Sequence, residues 1–131
     1  MSHSEAIIPA GVAPVAGAPY TPGVRAGNTL YMSGQLGLDP ATKQPYAEFE
    51  RQVEGCIAGL RGLVEAAGGT LEDIVKTTVL MLDLGDFAAM NAVYARHFIG
   101  DVRPARSTFQ VAGLPLGAAV EIEAIAVISD R

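Results

Sequence analysis

The stretch Ile74-Val75-Lys76-Thr77-Thr78-Val79-Leu80-Met81-Leu82 decides the fold. It is β-branched and nearly continuously apolar, the composition of a buried strand. Thr70-Leu71-Glu72-Asp73 ahead of it has the form of a helix-start cap, but the run that follows lacks a helical period. The reading is a brief turn and then a buried strand. On the N-terminal side, from about Ala47 to Ala67, Phe49, Val53, Ile57, Leu60, Val64 and Ala67 recur at threes and fours. That spacing predicts an amphipathic helix, which Gly68-Gly69 ends. On the C-terminal side Asp86 is expected to cap a second helix with the inner stripe Phe87, Met90, Tyr94 and Phe98, closed by Gly100.

Further out the pattern turns to strands. Val24 to Ser33 reads as a hairpin turning at Gly27-Asn28, and residues 39–45, with Pro40 and Pro45, read as a loop. Strands are expected at Arg106 to Ala112 and Ala119 to Ser129, joined by the turn from Gly113 to Gly117. The order β-β-α-β-α-β-β predicts a single α+β domain over residues 1–131, a sandwich of one mainly antiparallel sheet with two helices on one face.

Composition narrows the function classes. Half the residues are apolar and 18% are charged, against a typical ~25%, so a partner subunit is expected to cover some apolar surface. Net charge is −5, and the nine Lys and Arg residues are scattered; nucleic-acid binding needs a basic face, and none is visible. His3, His97 and Cys56 have no ligand spacing, so no metal is expected. One cysteine leaves no intramolecular disulfide, which fits a reducing compartment. The segment from Ala6 to Pro19 has no basic start and is broken by Pro9, Pro14 and Pro19, so it does not read as a signal peptide. No run reaches the ~18 apolar residues of a membrane span. A cytoplasmic protein is the expectation.

The chemistry-bearing residues sit on the last two strands. Alternation puts Arg106, Thr108 and Gln110 on one side, and Glu121, Glu123, Ile125 and Val127 opposite Val120, Ile122, Ala124, Ala126 and Ile128. If these strands pair, Arg106 and Glu121 meet. They then form either a structural salt bridge or a site in which the guanidinium fork grips a substrate carboxylate while Glu121 holds a water or passes a proton. Periodicity does not choose between the two. A carboxylate in such apolar surroundings is expected to be paired. Tyr20, Asn91 and Gly34 are weaker candidates, Cys56 reads as inert core, and His97 as a surface residue near a helix C-terminus.

Several segments together resemble the Rid family, the YjgF-type enamine/imine deaminases. They are Ala18-Pro19-Tyr20, Leu30-Tyr31-Met32-Ser33-Gly34-Gln35-Leu36-Gly37, Asp73-Ile74-Val75-Lys76-Thr77-Thr78-Val79, Met90-Asn91-Ala92-Val93-Tyr94, Pro104-Ala105-Arg106-Ser107 and Val120-Glu121-Ile122-Glu123-Ala124. The resemblance implies a chorismate-mutase-like α+β fold, assembled as a homotrimer around a central β-barrel with ligand clefts between subunits. It implies no cofactor. Arg106 would clamp a substrate carboxylate, Glu121 would position the hydrolytic water, and Tyr20, Asn91 and backbone groups near Gly34 and Thr108 would line the cleft. The implied reaction converts a 2-iminocarboxylate to a 2-keto acid and ammonia. Deamination of a larger enamine acid of the 2-aminomuconate or aminoacrylate type, a non-catalytic keto-acid-binding trimer, and ribonuclease activity are the alternatives. Thr108 stands where close relatives often carry cysteine, Thr21-Pro22 replaces a Ser-Gln type pair, and the helix from Phe49 to Leu60 departs from the usual pattern.

Overall fold

A computed structural model describes residues 3–12 and 17–129; Pro14 lies outside them. The strands are β1 (Ser4–Ile7), β2 (Gly23–Ala26), β3 (Thr29–Gln35), β4 (Ile74–Met81), β5 (Ala105–Gln110) and β6 (Val120–Val127). The helices are α1 (Phe49–Ala66), between β3 and β4, and α2 (Phe87–His97), between β4 and β5. The strands form one sheet in the order β1-β2-β3-β6-β4-β5, antiparallel except for the parallel pair β4 and β5.

The strand that decides the fold is observed as expected, after a single 3-10 turn, Leu71–Asp73, whose Thr70 and Asp73 close a capping box. Along β4 the buried residues Thr77, Val79 and Met81 alternate with the half-buried Lys76, Thr78 and Leu80. In β6 Val120, Ile122, Ala124 and Ala126 are all buried. These inward residues meet Val53, Ile57, Leu60 and Val64 of α1 and Met90, Val93 and Tyr94 of α2 in one core, which places both helices on one face of the sheet. Cys56 belongs to that core; burial, and then the nearby Glu121 charge, push its thiol well above its usual range.

Four expectations are corrected. The N-terminal strand β1, pairing with β2, has no counterpart among the expected elements, because only Ile7 of its four residues is buried and the strand rests on backbone pairing. Asp86 makes no side-chain cap; Asp83 accepts from the Gly85 N–H at 2.7 Å and caps the 3-10 turn that leads into α2. Phe87 is 40% exposed rather than part of the core, and α2 ends at His97. His97 is not a free surface residue: its ring bonds Glu54 through Nε2 and Arg61 through Nδ1. Burial works to raise the Glu54 pKa, but hydrogen bonds from Arg96 and His97 hold it below the ordinary glutamate range, and this cluster ties α1 to α2.

Among the described residues the opposite face of the sheet carries no helix. Tyr31 and Val127 stand on it, 51% and 45% exposed, with Ile125 between them in register and Phe109 further across on β5. Among the described residues no helix is long and apolar enough to cross a membrane.

Candidate active site

The expected meeting of Arg106 and Glu121 by strand pairing does not occur. β4 lies between β5 and β6, with Arg106 in register with Thr77 and Glu121 in register with Leu80. Thr77 is buried on the helix side, where its Oγ1 lies 2.7 Å from the Tyr94 hydroxyl, so Arg106 shares that side. Glu121 alternates with the buried Val120 and Ile122 and belongs to the other side of its strand. One chain therefore separates the six expected site residues into two groups.

The first group surrounds a cavity of about 570 Å³, bounded by the start of β6, the end of β3, the 35–46 segment and α1. Tyr20, Gly34 and Glu121 all line it. The β3–β6 register shifts between Met32 and Gln35, and that irregularity sets Gly34 directly against the Glu121 carboxylate. A Cβ built on Gly34 would lie 2.3 Å from Oε2 of Glu121, so only glycine permits the carboxylate to occupy this place. The Ser33 N–H donates to the Pro22 carbonyl at 2.8 Å, which draws the Tyr20-Thr21-Pro22 segment along the same rim. Glu121 is half-buried and, among the described residues, has no salt-bridge partner, contrary to the expectation of pairing. Burial first, and then the Glu123 charge, raise its pKa above the ordinary glutamate range.

The second group lies at the β5 edge against α2. Phe87, Asn91 and Tyr94 fall at i, i+4 and i+7 on one stripe of α2. The Arg106 guanidinium carbon sits 4.9 Å from the Tyr94 ring centroid and 5.5 Å from that of Phe87. Tyr94 is held in turn by Thr77 and by stacking on Phe98 with centroids 4.3 Å apart. Burial raises the Tyr94 pKa, while Thr77 and Arg106 work to lower it, and the hydroxyl stays neutral. Asn91 Oδ1 is buried with no hydrogen-bond partner, and no described carboxylate pairs with Arg106. Thr108 follows Arg106 on the same side of β5, half-buried. A flat cation held against two rings presents its N–H donors in the fork geometry that matches a planar anion, while the unsatisfied Asn91 Oδ1 beside it is an acceptor that calls for an N–H or O–H donor. Phe87 and Tyr94 are legible as a helical stripe, but their role under Arg106 follows only from the β4–β5 pairing.

Gly34→Ala tests the first group. The variant is expected to fold, since Gly34 is not buried, while displacing Glu121; ligand affinity and turnover fall together with little change in melting temperature. A fully active alanine variant would show that the carboxylate position is unimportant.

These features define an α+β protein with a one-carboxylate cleft and a separate guanidinium edge. The endoribonuclease L-PSP family model matches residues 10–128. A RutC family protein, y4sK, of Sinorhizobium fredii is 46% identical over 114 residues, covering 86% of this chain and 90% of that relative. The 2-iminobutanoate/2-iminopropanoate deaminase of Mus musculus is 44% identical, covering 88% of this chain and 85% of the mouse protein. The crystal structure of RidA from the Antarctic bacterium Psychrobacter sp. PAMC 21119 superposes with a TM-score of 0.86 at 43% identity, over 95% of this chain and 100% of that one. This chain belongs to the endoribonuclease L-PSP family, the Rid or YjgF-type proteins that its motifs resemble.

Proposed function

We propose that the protein is a homotrimeric imine deaminase that hydrolyses 2-iminocarboxylates at sites shared between two copies. The observation that carries this reading is the separation of Arg106 from Glu121 by β4 within one chain. A site needing both groups is complete only when the β5 edge of one copy faces the Glu121 cavity of another. The uncovered apolar sheet face with Tyr31, Ile125 and Val127 supports self-association around a central barrel. The mouse relative's name supports the reaction class.

In the proposed site Arg106 of one copy binds the substrate carboxylate through its two parallel N–H donors. Asn91 of that copy and Tyr20 of the other orient the ligand, with backbone groups near Gly34 and Thr108 completing the contacts. Glu121 accepts a proton from a water whose oxygen bonds to the imine carbon. The imine nitrogen takes up that proton to give a carbinolamine, whose hydroxyl proton then passes by way of Glu121 to the nitrogen as the C–N bond breaks, so that ammonia and a 2-keto acid leave. Beyond holding and orienting the imine, the site needs only to place the water and its proton acceptor, because the imine carbon is already electrophilic. Ribonuclease activity is disfavoured by the net charge of −5 and by the scatter of the basic residues.

The test is a coupled assay in which an amino-acid oxidase or dehydratase generates the imine in situ. Keto acid release faster than spontaneous hydrolysis is expected. A rate equal to the spontaneous one, with keto acid still bound, would replace the enzyme by a carboxylate sensor.

A further inference from the structure

Resting on the reading of Arg106 as the carboxylate clamp, we infer that Thr77 and Tyr94 are positioning residues for that clamp. The hydroxyl bond between them fixes the aromatic ring on which the guanidinium lies, and so fixes the direction of its N–H fork. Arg106 stands on an edge strand, and no described carboxylate pairs with it. Within the chain its guanidinium is directed by the rings of Tyr94 and Phe87. The two rings are not equivalent. Phe87 is exposed, whereas Tyr94 is 5% exposed and held at two points. It stacks on Phe98, and its hydroxyl lies 2.7 Å from Thr77 Oγ1.

The sheet places the threonine for this task. In the parallel β4–β5 ladder Thr77 and Arg106 are in register, so their side chains rise side by side on the helix side of the sheet, and Tyr94 reaches both from α2. Ile74, Val79 and Met81, the other buried residues of β4, are all apolar. Packing alone would be met at position 77 by valine, which has nearly the same shape. The Thr77 hydroxyl is instead fully buried and requires a hydrogen-bond partner, which the Tyr94 hydroxyl supplies.

A ring bonded at its tip and stacked along its length cannot tilt freely, and the guanidinium lying on it keeps its plane. A two-pronged grip on a carboxylate tolerates only about 10–20° of misdirection. The proposed site takes Glu121 from another copy, so the direction of the fork has to be set before the two halves meet. The triangle of Thr77, Tyr94 and Arg106 sets it inside one chain, from β4, α2 and β5.

The experiment titrates 2-ketobutyrate calorimetrically into the assembled full-length protein, so that the readout does not depend on turnover. Tyr94→Phe keeps the ring and removes its hydroxyl; Thr77→Val removes the other half of the bond. Each is expected to weaken binding about fivefold or more, the scale of one hydrogen bond's worth of preorganisation. The double variant should match the weaker single variant within about twofold, since both substitutions remove the same bond. Thr77→Ser, which restores the hydroxyl, should recover most of the loss. In an Arg106→Lys background, where the charge is a point without a fork, Tyr94→Phe should change the affinity by less than about twofold. Unchanged binding in folded, assembled Tyr94→Phe overturns the inference. An equal loss in the Arg106→Lys background also overturns it, because the effect would not run through the fork. Wild-type protein that binds no 2-ketobutyrate overturns the clamp itself. The expected binding pattern without imine hydrolysis supports the positioning role and overturns only the deaminase reading.

Discussion

Arg106→Ala is expected to lower kcat/KM for imine hydrolysis by at least roughly thirtyfold, the equivalent of the ~2 kcal/mol lower bound for removing one partner of a desolvated charge pair. Most of the loss should fall on KM, because the carboxylate is gripped alike in ground state and transition state. The fold should persist. Arg106 is half-buried on an edge strand, and within the chain its guanidinium packs on the rings of Tyr94 and Phe87, each such cation–π interaction contributing only ~0.5–1 kcal/mol at a site of this exposure. Arg106→Lys keeps the charge without the planar fork and should recover only part of the loss. Steady-state kinetics on the three proteins, with sedimentation to verify assembly, decides the matter; wild-type kcat/KM in Arg106→Ala would remove the carboxylate clamp from the account.

Glu121→Gln should lower kcat by about 10²–10⁴, the usual contribution of a placed proton acceptor, while a 2-keto acid still binds with nearly wild-type affinity. Glutamine matches the side chain in shape, so the close approach at Gly34 is retained and only the basicity is lost. The pH profile carries a second signature. Burial raises the Glu121 pKa, and the reacting form is the ionised one. Turnover should therefore fall as pH drops through a value above the ~4.3 of an ordinary glutamate, and that acid limb should vanish in Glu121→Gln. Equal losses of keto acid binding and of turnover in Glu121→Gln would make the carboxylate structural.

Much of this fold is legible in the sequence because its elements keep clean periods. The threes and fours from Phe49 onward locate α1, and the apolar run from Ile74 locates β4, even behind a cap that resembles a helix start. The β1 strand is not legible, since three of its four residues face solvent and it is specified by pairing with β2 rather than by a pattern of its own. Sheet order is also hidden. Alternation assigns Arg106 and Glu121 to faces of their own strands, yet it says nothing about which strands are neighbours. A signal is present in the β4–α2–β5 succession, a strand-helix-strand unit that favours parallel pairing of its two strands. That unit places β5 beside β4 and so divides the candidate residues between two halves of the sheet. The cap at Asp83 escapes for a local reason: a short 3-10 turn precedes α2, and the acidic side chain that closes it lies three residues before the one expected.

The central claim is that one copy supplies the guanidinium and another the carboxylate, and mixing two inactive variants tests it most directly. Differently tagged Arg106→Ala and Glu121→Gln chains, unfolded and reassembled together in equal amounts, should form mixed trimers. Random assembly makes about three quarters of the trimers mixed, and each mixed trimer of a cyclic assembly holds one intact site in three. Imine hydrolysis should therefore return to about a quarter of the wild-type value. No recovery above the separate variants, in preparations that tandem purification proves to contain both chains, would contradict the shared site.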